Sequence, residues 1–169
     1  MKPAVTGTIF QQNGVLTASS ATLNIQTEVG NTYGATNVGT VISSIFDPHG
    51  VLVTKGSSQA TVLPMSTATV MTTVQLDNVE LWDITQPSMY TLVTTIQNAT
   101  GDITDEYTTP FGVRKVVFDV NQGLLLNDNP VKAKGFCNHQ DFAGVGTAVP
   151  DRINEFRVTK LQEMGTNAW

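Results

Sequence analysis

A short stretch near the C-terminal end of this sequence sets several polar side chains capable of hydrogen-bond chemistry close together. Asn138, His139 and Asp141 follow one another almost directly. An imidazole can donate to or accept from a hydroxyl, a carboxylate accepts two hydroxyl protons well, and a carboxamide does both. The plainer reading makes them polar residues of a loop. Cys137, beside them, is the only cysteine. No intrachain disulfide and no thiol pair for a zinc site can form, and Cys137 is expected to be a small buried hydrophobe. Asp105-Glu106 reads as a charged strand or loop end. Glu155 and Glu163 read as a solvated helix face. No G-x-S-x-G nucleophile motif is present.

Composition narrows the class. The chain has 169 residues, 40% hydrophobic and 14% charged, with net charge -5. That is too apolar for a disordered chain and too polar for a membrane protein. No stretch approaches the ~20 apolar residues of a membrane span, so no membrane partner is expected. Nine Lys and Arg are scattered along the chain, which leaves no basic stripe for nucleic acid. A neutral or polar ligand fits better. Met1 to Val5 has a positive charge without an apolar run behind it, so no signal peptide is expected; the compartment stays undetermined.

Those candidate residues need elements to hold them. Residues 1 to about 112 read as strand after strand, rich in Thr, Val, Ser and Ile. Val5 to Phe10 is a first run, closed by the turn Gln12-Asn13-Gly14. Ala21 to Val29 alternates with Leu23, Ile25 and Val29 on one face. Thr40 to Phe46 follows, then the turn Asp47 to Gly50 and a short Val51-Leu52-Val53. Ala68 to Leu76 alternates through Val70, Thr72 and Val74. Tyr90, Leu92, Thr94 and Ile96 share one side of the next strand, and Ile103 to Thr109 completes about seven. Short strands at roughly 8–12-residue spacing, broken by Gly, Pro, Asn and Asp, predict a two-sheet antiparallel sandwich.

After Gly112 the pattern changes. Val116 to Phe118 and Leu124 to Leu126 predict a hairpin around Asp119 to Gly123. A turn at Asn127 to Pro130 leads to a strand over Val131 to Phe136. A glycine-containing loop comes next, and Pro150-Asp151 opens a helix. Ile153, Phe156, Leu161 and Met164 make a rough apolar stripe on that helix, and Gly165 ends it. Thr166 to Trp169 starts another strand. Strand, loop, helix and strand start form one βα unit of a parallel fold. The residues after Gly112 are far too few for the ~250 of a complete barrel.

Several segments resemble the β-galactosidase and β-glucuronidase family, glycoside hydrolase family 2. Leu81-Trp82-Asp83 with Pro87 to Leu92 is similar to its "LW…P.LY.L" stretch. Pro110-Phe111-Gly112-Val113-Arg114 looks like its "FG-[IV]-R" exit from the sandwich. Gly123 to Val131, with Lys134 to Asp141, resembles its "G…LNG.P…..G.N.H.D" lead-in to the barrel. Pro150-Asp151-Arg152 and Leu161 to Ala168 are similar to the first barrel helix and second strand. The resemblance covers residues 81–169 in order; residues 1–80 carry only the sandwich pattern. One departure is Asp128, where the family usually has Gly.

The resemblance implies a mainly β fold: an immunoglobulin-like antiparallel β-sandwich over residues 1–112, then a β-hairpin and one βα unit of an incomplete (β/α)₈ (TIM) barrel over 113–169. It implies a fragment of a retaining β-glycosidase, acting on a β-glycoside or oligosaccharide in the parent enzyme. That chemistry uses two carboxylates ~5–5.5 Å apart, both glutamates on later barrel strands, so no catalytic residue, metal ligand or cofactor is expected within these residues. His139 and Asp141, with Asn138 as a weaker third, match positions that meet the sugar. Trp82 and Tyr90 fall where the family packs its sandwich. The alternative is a carbohydrate- or protein-binding sandwich module without catalysis, which a row of exposed aromatics would mark; the aromatic share is 7% and no row shows. The uncovered apolar side chains of residues 114–169 predict that this tail docks on the sandwich or is shared in a homo-oligomer.

Overall fold

A computed structural model describes residues 8–11 and 19–169. The chain divides into two units, Met1–Arg114 and Lys115–Trp169. Among the described residues the first unit has seven strands: β1 (Thr8–Gln11), β2 (Ser20–Asn31), β3 (Asn37–Phe46), β4 (Leu52–Val62), β5 (Ser66–Asp77), β6 (Tyr90–Asn98) and β7 (Ile103–Phe111). One sheet has the order β1-β2-β5 and the other β4-β3-β6-β7. All neighbours are antiparallel. The expected turn at Gln12 to Gly14 lies outside the described residues.

The alternation seen in sequence is the alternation of burial. Leu23, Ile25 and Val29 on β2, Val70, Val74 and Leu76 on β5, and Tyr90, Leu92 and Ile96 on β6 all point inward. One strand departs from expectation. Val51 to Val53 does not end a short strand; β4 runs on to Val62, paired with β3 from Asn37↔Val62 onward. Its middle, Lys55-Gly56-Ser57-Ser58, carries no apolar signal because β4 is a sheet edge held by backbone pairing. Gly56 also fits a close approach: a Cβ there would lie 2.5 Å from Val74 Cγ1 and 2.9 Å from Thr72 Cγ2. The edge of one sheet thus presses on the face of β5.

The core is interrupted by a polar layer. One apolar cluster gathers Leu23, Ile25, Ile45, Val74, Leu76 and Leu92. The other gathers Val29, Val41, Val62, Val70 and Ile96. Between them along the strands lie Thr27, Ser43, Thr72 and Thr94, all buried. Ser43 and Thr94 are direct cross-strand partners. Thr72 donates to Ser58 Oγ at 3.0 Å, which donates onward to Met71 O at 2.8 Å. The hydroxyls of Thr27, Ser43 and Thr94 have no hydrogen-bond partner among the described residues. At one end of the sandwich, Tyr90 Oη accepts the Glu80 N–H at 2.8 Å, and burial pushes its phenol above the ordinary range.

The exit from the sandwich is a packed motif. Trp82 N donates to Val113 O at 2.8 Å, and Val113 is buried in the first cluster. A Cβ on Gly112 would fall 2.8–2.9 Å from three Trp82 atoms, so only glycine lets the indole lie against this backbone. The Arg114 guanidinium stands 4.6 Å over the same ring, a cation–π contact. Trp82 and Tyr90 are therefore packing residues, as the resemblance implied.

The second unit has a three-stranded sheet of order β10-β9-β8, from β8 (Val116–Asp119), β9 (Gly123–Leu126) and β10 (Asn129–Pro130), then one helix, α1 (Asp151–Glu163). Asp119 Oδ1 accepts the N–H groups of Asn121 and Gln122 at the hairpin tip. These bonds, Gln122 first, hold its carboxyl below the usual range. The stabilisation is present at neutral pH and is lost as pH falls through the lowered value. In the next turn Asn127 and Asp128 take φ of 50° and 64°, the left-handed pair of a type I′ turn. Asp128 thus fills the place where the family has Gly, held by Lys115 Nζ at 2.6 Å.

Two substitutions test this packing by urea denaturation. Gly112→Ala should cost about 1–3 kcal/mol through overpacking on Trp82. Thr94→Val, which keeps shape and removes an unpaired buried hydroxyl, should leave stability equal or raise it by about 1 kcal/mol. A loss of that size instead would show that the hydroxyl is bonded.

Candidate functional site

The candidate residues follow β10 on backbone that is largely irregular. The strand expected over Val131 to Phe136 is not formed. After β10 the segment has one parallel bridge, Gly135↔Ala168. The reason is the lack of a neighbour: an extended segment becomes a strand only when its N–H and C=O groups are paired along its length. Here pairing comes from the other end of the unit. Asn167 N donates to Lys134 O at 2.9 Å and Ala168 N to the same oxygen at 3.2 Å. Asn167 Oδ1 accepts the Lys134 N–H at 2.7 Å, and Asn167 Nδ2 donates to Lys132 O at 3.1 Å. One carboxamide supplies a donor and an acceptor to the facing backbone, as a strand residue would.

The connection back is α1. Pro150 precedes its first turn and Asp151 places a negative charge there. At its end Gly165, with φ 81°, donates to Gln162 O at 2.8 Å; this delivers Thr166 and Asn167 to the Lys134 segment. The inward stripe differs from the sequence expectation. Ile153, Arg157 and Leu161, spaced four apart, are the half-buried positions, whereas Phe156 and Met164 are 55% and 69% exposed. Spacing by four keeps one face of a 3.6-residue period; the expected steps of 3, 5 and 3 wander across it.

Arg157 therefore faces the segment that carries the candidates. Its Nη1 donates to His139 O at 3.3 Å and its Nη2 to Asp141 O. Its guanidinium lies 4.8 Å over the Phe142 ring. Beyond Phe142 the loop closes on itself: Phe142 N donates to Gly146 O, and Gly146 N to Phe142 O, each at 3.0 Å. Gly144 and Gly146 supply the positive φ angles that this turn requires.

These elements enclose a cleft of about 540 Å³, lined by Asn138, His139, Gln140, Asn154, Arg157 and Trp169 among others. Asn138 and His139 thus share one wall. Asp141 is on the same loop but does not line the cleft. All three are exposed. Neither the imidazole nor the Asp141 carboxylate bonds to another described residue, so both are free to meet a ligand hydroxyl. Cys137 is exposed as well, against expectation, because nothing in the unit covers this irregular segment. Glu163 pairs with Lys160 at 2.8 Å on the helix surface. Asp105 and Glu106 are adjacent on β7, so their side chains leave on opposite faces. Among the described residues no group of His, Cys, Asp and Glu could hold a metal ion. Sequence reasoning missed Arg157 and Trp169; the spacing of Arg157 from Ile153 and Leu161 was the available signal.

The chain as a whole is similar to known proteins. The family model described as Glycosyl hydrolases family 2 matches residues 5–114. The β-galactosidase BoGH2A of Bacteroides ovatus is 36% identical over 149 residues, 87% of this chain and 17% of that protein. A β-glucuronidase of Formosa agariphila is 26% identical over 161 residues, 94% of this chain and 16% of that protein. Among solved structures, Bacteroides uniformis β-glucuronidase 2, covalently bound to cyclophellitol-6-carboxylate aziridine, superposes with a TM-score of 0.86 at 26% identity, covering 95% of this chain and 19% of that one. The chain spans less than a fifth of the length of these three relatives.

The Asn167 clamp has a direct test. Asn167→Ala removes two side-chain hydrogen bonds and should cost the second unit about 1–3 kcal/mol, at roughly 0.5–1.5 for each. Hydrogen exchange should quicken at Lys134 and Ala168 while β2 and β6 keep their protection. Unchanged exchange at Lys134 would show that the carboxamide does not hold this segment.

Proposed function

We propose, from the premise that this chain belongs to the glycosyl hydrolases family 2, that it is a segment of a β-glycosidase acting on β-galactosides or β-glucuronides. Residues 1–112 serve as its immunoglobulin-like sandwich and 113–169 as the first βα unit of its (β/α)₈ barrel. The supporting observation is that Asn138 and His139 line a cleft and that the His139 imidazole bonds to no other described residue; we read the Val131 to Phe136 segment before them as the place of the first barrel strand. Barrel active sites are built at the C-terminal end of the strands. Asn138, His139 and Asp141 are read as contacts to sugar hydroxyls. The names of the relatives support the substrate class.

Retaining hydrolysis needs an acid/base carboxyl and a nucleophilic carboxylate ~5–5.5 Å apart. We assign neither to this chain: among the described residues no acid lines the cleft, and Glu155 and Glu163 are exposed on α1. The stretch described here orients substrate, and the chemistry belongs to later strands. Exposed Phe136, Phe156 and Met164 support cover by further barrel elements or by a second copy of the chain.

Two measurements check this. Residues 1–169 alone should show no turnover of an aryl β-galactoside or β-glucuronide above buffer. In the full-length polypeptide, Asp141→Ala should lower kcat/KM about 10- to 100-fold, the worth of one hydrogen bond to a charged group. Unchanged kcat/KM across several glycosides would remove the sugar-contact assignment.

A further inference from the structure

Arg157 takes no part in the reading above as a sugar contact, yet its geometry concerns the same loop. Its guanidinium bonds to two main-chain carbonyls, those of His139 and Asp141. The two residues whose carbonyls it grips are two of those assigned to the sugar. The same planar group covers the Phe142 ring at 4.8 Å. Phe142 in turn anchors the loop through its paired hydrogen bonds with Gly146. A carbonyl grip on alternate residues fixes the peptide planes that follow His139 and Asp141. Those planes set where the His139 and Asp141 side chains leave the backbone.

This loop has little else to hold it. Residues 132–141 are all exposed, and only isolated bridges, at Gly135 and at Phe142, pair the backbone on either side of the candidates. Arg157 is half-buried on a helix whose neighbouring inward positions, Ile153 and Leu161, are apolar. An arginine there is costly in an apolar stripe unless its donors are used, and two of its five are used on this loop. A lysine could not reproduce the planar fork and its ring stacking together.

We propose that Arg157 is a positioning residue, which presents His139 and Asp141 to the sugar by bridging their carbonyls and stacking on Phe142. The inference rests on the sugar-contact reading of those two residues. It assigns Arg157 no contact with substrate.

The test uses the full-length polypeptide and compares Arg157→Met, Arg157→Lys, His139→Ala and Asp141→Ala, with Lys160→Met as an exposed control on the same helix. Arg157→Met should lower kcat/KM for an aryl β-glycoside about 10- to 100-fold, the scale at which misplacing a binding group is felt. Arg157→Lys should recover only part of that loss, and Lys160→Met should lose nothing. Hydrogen exchange in Arg157→Met should quicken over residues 138–146, including the Phe142 and Gly146 amides, with α1 protection kept. In the double variant Arg157→Met/Asp141→Ala the losses should not add, because both act through one contact. If His139→Ala and Asp141→Ala impair turnover while Arg157→Met does not, the positioning role is overturned and the sugar-contact reading stands. If none of the three impairs turnover, the sugar-contact reading fails and takes the positioning role with it. Exchange over 138–146 unchanged in Arg157→Met would also overturn the role, whatever the kinetics; so would full recovery by Arg157→Lys.

Discussion

The second unit hangs on the carboxamide of Asn167. A parallel βα unit brings two strand segments side by side only through a long connection, and its return must register with the segment it left. Here the return is two residues wide. Asn167 and Ala168 give their N–H groups to Lys134 O, and the Asn167 side chain supplies what a longer strand would. A side-chain amide can do this because it carries the same donor and acceptor as a peptide group. Without that registration α1 would have no fixed line along which to lie. Arg157 would then have no fixed distance to the carbonyls of His139 and Asp141. The order of dependence runs from Gly165, which ends the helix, to Asn167, to the Lys134 segment, to the loop that carries the candidate ligands.

The first unit answers to a different constraint. Its strands bury one face each, and the apolar content of that face is divided by hydroxyls at Thr27, Ser43, Thr72 and Thr94. An unpaired buried hydroxyl costs about 1–3 kcal/mol, so the layer does not come from optimising packing alone. The clusters on either side are extensive enough to carry it. At the exit, Trp82, Gly112, Val113 and Arg114 form one structural unit, since the indole rests where any Cβ would stand. The paired sequence segments around Leu81-Trp82 and Phe111 to Arg114 are thus two halves of one contact, separated by β6 and β7.

What could be read from the sequence followed from where the physics is local. Strand alternation is written residue by residue, so β2, β5 and β6 and their inward faces were legible. The Asp119 hairpin, the Pro150 start and the Gly165 stop were legible because turns and caps select residue types directly. The length of β4 was not, since an edge strand pairs through its backbone and Lys55 to Ser58 need no apolar side chain. Nor was the irregular course of Val131 to Phe136. Its composition suits a strand, but strand formation depends on neighbours the segment cannot specify. The same absence of cover exposes Cys137. Along α1 the apolar residues Phe156 and Met164 lie off the inward face and Arg157 lies on it; the face is set by period, and an arginine can occupy it once carbonyls receive its donors.

That difference between the units bears on how a site can be built here at all. Burying a large apolar side chain is worth about 1.5–3 kcal/mol. The sandwich collects this many times over, whereas α1 buries no residue and leaves Phe156 and Met164 in water. The second unit is therefore held by directional polar contacts: Asn167 on the Lys134 segment, Arg157 on the candidate loop, Lys115 on the Asp128 turn. Such contacts give little net stability but fix angles, and angles are what hydroxyl recognition requires, since a hydrogen bond weakens steeply away from linearity. Cover from further elements would add stability without having to set the orientation of His139 or Asp141, because local clamps already define the backbone beneath them. In this architecture geometry comes from the polar clamps, and the helix itself, which buries no residue, adds little of the energy to keep it.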